Sequence, residues 1–119
     1  MFEFSIDLSA LEKCQRRENN IVPSAASFIE YFYESCRDNF ISFAMGRNMS
    51  ITLNLELVKN NVTYTFTSES YHLKETMTEY ELGEWFHRAR INVLDKLTND
   101  ETNSNFDKWN KVYITCDRF

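Results

Sequence analysis

The sequence predicts an α+β, two-layer domain: one antiparallel sheet of about four strands, with two main helices on one face. Three observations predict it. Two long stretches repeat apolar residues at helical spacing, four short ones alternate apolar with polar residues, and their order along the chain is β-α-β-β-α-β. That order matches the split βαβ, ferredoxin-like arrangement, and other two-layer α+β topologies fit the same string. At 119 residues the chain reads as a single domain, 1–119, large enough to bury a core without disulfide or metal staples.

The first strand is predicted where Phe2, Phe4, Ile6 and Leu8 alternate with Glu3, Ser5 and Asp7. Ser9 then caps a short helix, ALEKCQRRE over residues 10–18, because Glu12 stands three residues on in the capping-box position. Pro23 and Ser24 announce the first main helix. In it Ala25, Ile29, Phe32, Cys36, Phe40 and Phe43 recur at helical spacing, and Gly46 provides the stop.

The next stretch, ITLNLELVKNNVTYTFT, is a hairpin. With Asn60-Asn61 as its two-residue turn, Leu57 faces Tyr64 and Leu55 faces Phe66 on one side of the sheet. Asparagine tolerates the positive φ such a turn demands, so pattern and turn chemistry agree. The second main helix begins at Thr78, with Glu81 completing a capping box and Met77 and Leu82 placed as a hydrophobic staple. Its inward stripe is Leu82, Phe86, Ala89, Val93 and Leu97. Gly83 inside it costs about 1 kcal/mol relative to alanine, which suggests a close approach by another element. A polar loop, TNDETNSNFD, leads to a last strand in which Val112, Ile114 and Cys116 alternate with Lys111, Tyr113 and Thr115.

The outward residues of the four strands are Glu3, Ser5 and Asp7; Thr52, Asn54 and Glu56; Thr63, Thr65 and Thr67; Lys111, Tyr113 and Thr115. A sheet that stacks single-stranded RNA needs aromatics backed by lysine and arginine. With one tyrosine, one lysine and three carboxylates, this face reads as solvated, and the net charge of -5 further opposes direct nucleic-acid binding.

Composition narrows the remaining classes. Gly 2 and Pro 1 leave no room for a Gly-rich phosphate loop or extended disorder. The three cysteines (Cys14, Cys36, Cys116) are odd in number, and Cys36 and Cys116 fall on apolar stripes, which predicts reduced thiols in a cytoplasmic protein. Glu3 and Asp7 interrupt any leader-like apolar run, and no segment reaches transmembrane length, so no membrane role is expected. No pair of Cys or His has zinc-site spacing, neither His72 nor His87 is placed by sequence beside a thiol, and no catalytic motif occurs. The expectation is therefore no catalytic residues, no metal and no cofactor. The basic cluster Lys13, Arg16 and Arg17 fits the C-terminal end of the short helix, where cations suit the dipole.

The opposite charge is more concentrated. Between Glu69 and Glu84 lie Glu69, Glu75, Glu79, Glu81 and Glu84 against Lys74 alone, a local charge of -4. Glu79 and Glu81 suit the first turn of a helix, and Glu84 can pair with Arg88. Glu69 and Glu75 have no such reason, and the outward stripe of the helix continues through Tyr80, Glu84, His87 and Ile91. Carboxylates around exposed Tyr and Ile form an anchor-and-rim surface, so Glu69, Glu75, Glu79, Tyr80, Glu84, His87 and Ile91 are the candidate partner-binding residues. A second mixed stripe, Glu34, Asp38, Ile41 and Met45, is open to two readings: an interface, or a face covered by the helix at residues 10–18.

These features are those of a small acidic protein-binding module. The specific expectation is a stoichiometric inhibitor of a nuclease or other nucleic-acid-binding protein with a basic surface, of the phage anti-defence (anti-CRISPR or anti-restriction) or toxin-immunity type. Two alternatives stay open: a structural or accessory subunit of a phage particle or other assembly, marked by self-association, and a small enzyme without a recognisable motif, marked by a pocket of convergent polar groups.

Overall fold

The computed structural model describes residues 2–7, 25–99 and 108–118. The expected helix at residues 10–18, with Cys14, Lys13, Arg16 and Arg17, lies outside them, as does most of the loop at 98–107.

The hairpin forms as its pattern and turn require. Strand β2 (Met49–Lys59) and strand β3 (Val62–Thr67) flank Asn60 and Asn61, whose φ values of 52° and 63° are those of a type I′ turn. The register pairs Leu57 with Tyr64 and Leu55 with Phe66. β2 is long enough to pair beyond the end of β3, and a short strand β4 (Tyr71–Leu73) runs beside its first residues, pairing Met49 with Leu73 and Ile51 with Tyr71. This three-residue strand is absent from the sequence reading, because so short a run has no period.

The remaining strands complete one antiparallel sheet. β5 (Lys108–Arg118) pairs with β2 along its other side, and β1 (Phe2–Asp7) pairs with β5. The spatial order is β1-β5-β2-β3, with β4 sharing the edge of β2. β5 therefore separates β1 from β2, which run parallel, and β2 separates β3 from β5 in the same way. Each helical crossover is thus a split βαβ unit, as the element order predicts. The spatial order itself is a variant, since the ferredoxin-like arrangement has its first and third strands at the centre.

Helix α1 (Ala25–Ala44) follows β1, and helix α2 (Glu79–Asn99) follows β4. Both pack on the sheet and on each other. Gly46 takes φ 75° and stops α1, with the Met45 and Arg47 amides donating to the Ile41 and Ala44 carbonyls. At the start of α2 the capping box forms: the Glu81 amide donates to Thr78 Oγ1 at 3.2 Å, and the Thr78 amide donates to Glu81 Oε1 at 3.3 Å. Met77 and Leu82, the staple residues, are both buried. No helix among the described residues is long and apolar enough to cross a membrane.

One face of the sheet and one face of each helix form the core. Met49, Ile51, Leu53, Leu55 and Leu57 of β2 are completely buried, and Val112, Ile114 and Cys116 of β5 lie beside them. The whole predicted stripe of α2 is buried, joined by Trp85, whose ring lies 5.9 Å from those of Phe40 and Phe86. In α1 the buried stripe is Phe28, Ile29, Phe32, Phe40 and Ala44, while Cys36 and Phe43, expected inward, are only half-buried at its margin. Arg90 of α2 forms an ion pair with Glu30 of α1, linking the two helices at the edge of this core.

On the opposite sheet face Thr52, Glu56, Thr67, Lys111, Tyr113 and Thr115 are half-buried, so it is less open than the pattern predicts. Thr63 and Thr65 are exposed, but Asn54 is buried. Its amide donates to Thr115 Oγ1 at 3.0 Å, and its carbonyl oxygen accepts from Thr67 Oγ1 at 2.9 Å, so one side chain binds β3, β2 and β5 together. The single lysine and tyrosine read on this face meet each other, Lys111 Nζ lying 4.5 Å from the centre of the Tyr113 ring.

Ser68 makes the joint between β3 and β4. Its amide donates to the Leu53 carbonyl at 2.8 Å, while its buried Oγ accepts from the Leu53 amide at 2.9 Å and donates to the Glu69 carbonyl at 3.1 Å. The side chain thus supplies the acceptor that a continuing strand would have offered. Ser68→Ala leaves the Leu53 N–H unpaired in the core and is expected to cost about 1–3 kcal/mol. Urea titration should show a lower midpoint at unchanged slope; an unshifted midpoint removes the assigned role.

Candidate functional site

Of the acidic residues selected from sequence, Glu69, Glu79 and Glu84 lie where the β3–β4 connection meets the N-terminal half of α2, and Glu75 lies apart from them. α2 starts at a firm cap, so its exposed stripe is set turn by turn: Tyr80, then Glu84, His87 and Ile91. Tyr80 is 76% exposed and Ile91 44%. The Tyr80 hydroxyl donates to Glu84 Oε1 at 3.0 Å, which holds the ring against the helix and raises the phenol's pKa. Arg88, one turn on, lies 4.0 Å from the other oxygen of Glu84. Such an exposed pair contributes little to stability, but it lowers the charge that the sequence count assigned to Glu84.

Tyr80 and Glu84 form a ridge between two depressions. The first, about 530 Å³, lies toward the β3–β4 connection and is lined by Glu69, Tyr71, Glu81, Trp85 and Arg88 along with the ridge. Asn92 fixes its far wall by accepting the Glu69 amide at 2.9 Å. The second, about 620 Å³, lies toward α1 and holds Tyr33, Arg37, Glu79, Gly83 and His87. Here Arg37 of α1 forms an ion pair with Glu79 and donates through Nε to the Tyr33 hydroxyl at 3.1 Å. The hydrogen bonds it donates to Tyr33 and Glu79 together hold the guanidinium further above its ordinary pKa.

The structure therefore gathers Glu69, Tyr80 and Glu84 around one depression, and Glu79, Tyr80, Glu84 and His87 around the other. Glu75 and Ile91 line neither. Glu75 sits in the β4–α2 turn, tied by its amide to Asn48 Oδ1 at 3.2 Å. Tyr33, Arg37, Tyr71, Trp85 and Asn92 are site residues that the sequence pattern does not mark. Tyr33 and Arg37 carry a weak signal, because both flank the apolar stripe of α1. Their meeting with Glu79, however, spans the hairpin and β4, and no local pattern encodes it. Of the second stripe considered in sequence, Glu34, Asp38 and Met45 are exposed and Ile41 is half-buried against the core; the helix weighed as its cover lies outside the described residues.

Gly83 forms the floor of the second depression. A Cβ built there meets only the Tyr33 hydroxyl, at 3.6 Å, an ordinary contact. The close approach expected of another element is therefore no more than this side-chain contact from α1, which leaves room for a methyl group and does not require glycine. Gly83→Ala should raise stability by about 1 kcal/mol through helix propensity. A lower melting temperature in the variant overturns this reading of the contact.

The described thiols are free and held protonated. Burial raises the Cys36 pKa, and burial with the nearby Asp117 charge pushes Cys116 up to about 11. Nucleophilic chemistry at neutral pH is thereby opposed. Among the described residues no three His, Cys, Asp or Glu side chains converge on a point where a metal ion could sit. Because the folded state favours the neutral Cys116 thiol, its stabilising contribution is complete below the ordinary value of 9.0 and is lost as pH rises through about 11. Unfolding free energy should fall across that window more steeply in the wild type than in Cys116→Ala; parallel curves for the two proteins contradict the assignment.

Comparison with protein families, curated proteins and solved structures finds no match for this chain.

Proposed function

We propose that the chain is a protein-binding module whose docking surface is the ridge of Tyr80 and Glu84 with the two depressions beside it. The observation that carries this reading is Tyr80 itself. A large aromatic, 76% exposed, is held by a hydrogen bond to Glu84 and surrounded by carboxylates and polar groups. A pre-positioned ring loses little freedom on binding, which suits an anchor residue, and the polar groups around it form the rim. Glu69 and Glu75 make no ion pair among the described residues, so their charge is free to steer a basic partner.

The partner is a protein with a basic surface, and the role is that of a stoichiometric inhibitor of a nuclease or other nucleic-acid-handling protein, in the manner of phage anti-defence or toxin-immunity proteins. Carboxylates presented on the connections beside a firmly capped helix compete with phosphates for the same cations. The apolar groups beside them supply residence time that charge alone does not.

Capture on the immobilised protein from its native host, followed by mass spectrometry, should recover a basic nucleic-acid-binding protein. Particle proteins in its place would favour the assembly reading. With that partner, Glu69→Lys combined with Glu75→Lys should slow association roughly tenfold at low salt, with the difference fading as salt screens it. Tyr80→Ala should act on dissociation, at about 2 kcal/mol or roughly thirty-fold. If neither variant changes affinity or its salt dependence, the contact lies elsewhere on the molecule.

A further inference from the structure

The edge formed by β3 carries information independent of the acidic surface. In a two-residue hairpin the flanking residues, here Lys59 and Val62, exchange hydrogen bonds, and every second residue beyond them points its backbone at the partner strand. Tyr64 and Phe66 therefore face β2 through their backbone groups, and the Ser68 amide continues the series by donating to Leu53. The N–H and C=O groups of Thr63, Thr65 and Thr67 point the other way, off the edge. Among the described residues no strand pairs with them, since the sheet order ends at β3.

Edge strands are commonly guarded by charge, proline or a bulge. β3, VTYTFT, has none of these along its length. One guard does exist, at its end: Lys96 of α2 donates to the Thr67 carbonyl at 2.6 Å. The Asn60-Asn61 turn closes the other end. What remains is a row bounded on both sides, the backbone groups of Thr63 and Thr65.

That row is complementary to itself. We infer that β3 pairs antiparallel with β3 of a second copy of the chain, about a two-fold axis at Tyr64, joining two sheets into one. In this register Thr63 of each copy lies opposite Thr65 of the other, and each pair exchanges both of its N–H···O bonds. The Thr67 carbonyl stays with Lys96. In this register the Asn61 of the second copy lies opposite Thr67, so that its chain turns back at Lys96 where a longer foreign strand would run on into the lysine, and the two-fold uses the free groups of Thr63 and Thr65. The net charge of -5 on each copy does not oppose the contact locally, because the facing residues are uncharged.

The register makes a charge test possible, since Thr63 and Thr65 are exposed and Glu56 lies opposite Thr65 within the chain. Thr63→Lys with Thr65→Lys sets lysine against lysine across the two-fold. Thr63→Glu with Thr65→Lys sets glutamate against lysine, and in both variants Lys meets Glu56 inside its own chain. Sedimentation equilibrium over a micromolar-to-millimolar series should show the wild type rising from 14.2 kDa toward twice that mass. The double-lysine variant should remain a monomer with an unchanged melting temperature, and the glutamate-lysine variant should dimerise at least as tightly as the wild type. Exchange of the Thr63 and Thr65 amides should slow roughly tenfold as the dimer forms. A wild type that stays monomeric throughout, or a double-lysine variant that dimerises equally well, overturns the inference.

Discussion

The fold depends on β2. This one strand pairs with β5 on one side and with both β3 and β4 on the other, and its five core-facing side chains are completely buried. Because side chains alternate, a slip of one residue in β2 would send all five to the open face and bring Thr52, Asn54 and Glu56 into the core. Two devices oppose that slip. The type I′ turn at Asn60-Asn61 fixes the pairing with β3, and Asn54 bonds to Thr67 and Thr115 on the strands either side. Polar groups satisfied in this way specify register even where their net contribution to stability is small.

The features that could be read in the sequence are those whose cause is local. The hairpin register follows from two asparagines and a period of two, and the start of α2 from Thr78, Glu81, Met77 and Leu82, all within six residues of each other. The stripe of α2 follows from a period of 3.6. What escaped is what the fold brings together from a distance. β4 exists because β2 outruns β3 and offers free backbone to whatever passes, not because of any preference in Tyr71-His72-Leu73. Asn54 reads as solvated in the sequence because its partners lie on two other strands. The spatial order of strands is likewise set by the crossovers, which the linear order leaves open.

The candidate site follows the same division. The exposure of Tyr80, Glu84, His87 and Ile91 could be read from helical spacing, since each lies opposite a buried stripe. The charge of the site could not be read by counting along the chain. Arg37 reaches Glu79 from the other helix, so part of the apparent acidity is consumed inside the protein. What remains open is concentrated at Glu69 and Glu75, on the connections rather than on the helix. In the proposed docking surface the helix provides the fixed anchor and the loops the free charge, a division that matches precision on regular structure with adaptability on its flanks.

The place of β5 at the centre of the sheet has a consequence for synthesis. It is the last strand in chain order, yet it separates β1 from β2 and pairs with both. While a ribosome is still making α2, β1 has no neighbour to pair with, and β2 can close only its hairpin side. The contacts that complete the sheet join residues near opposite ends of the described chain, with Phe2 opposite Cys116. Folding dominated by such distant pairings is slow, because loop closure precedes any gain from the contacts. The nascent chain therefore carries exposed apolar strand surface until β5 emerges, a period in which a chaperone would find its substrate.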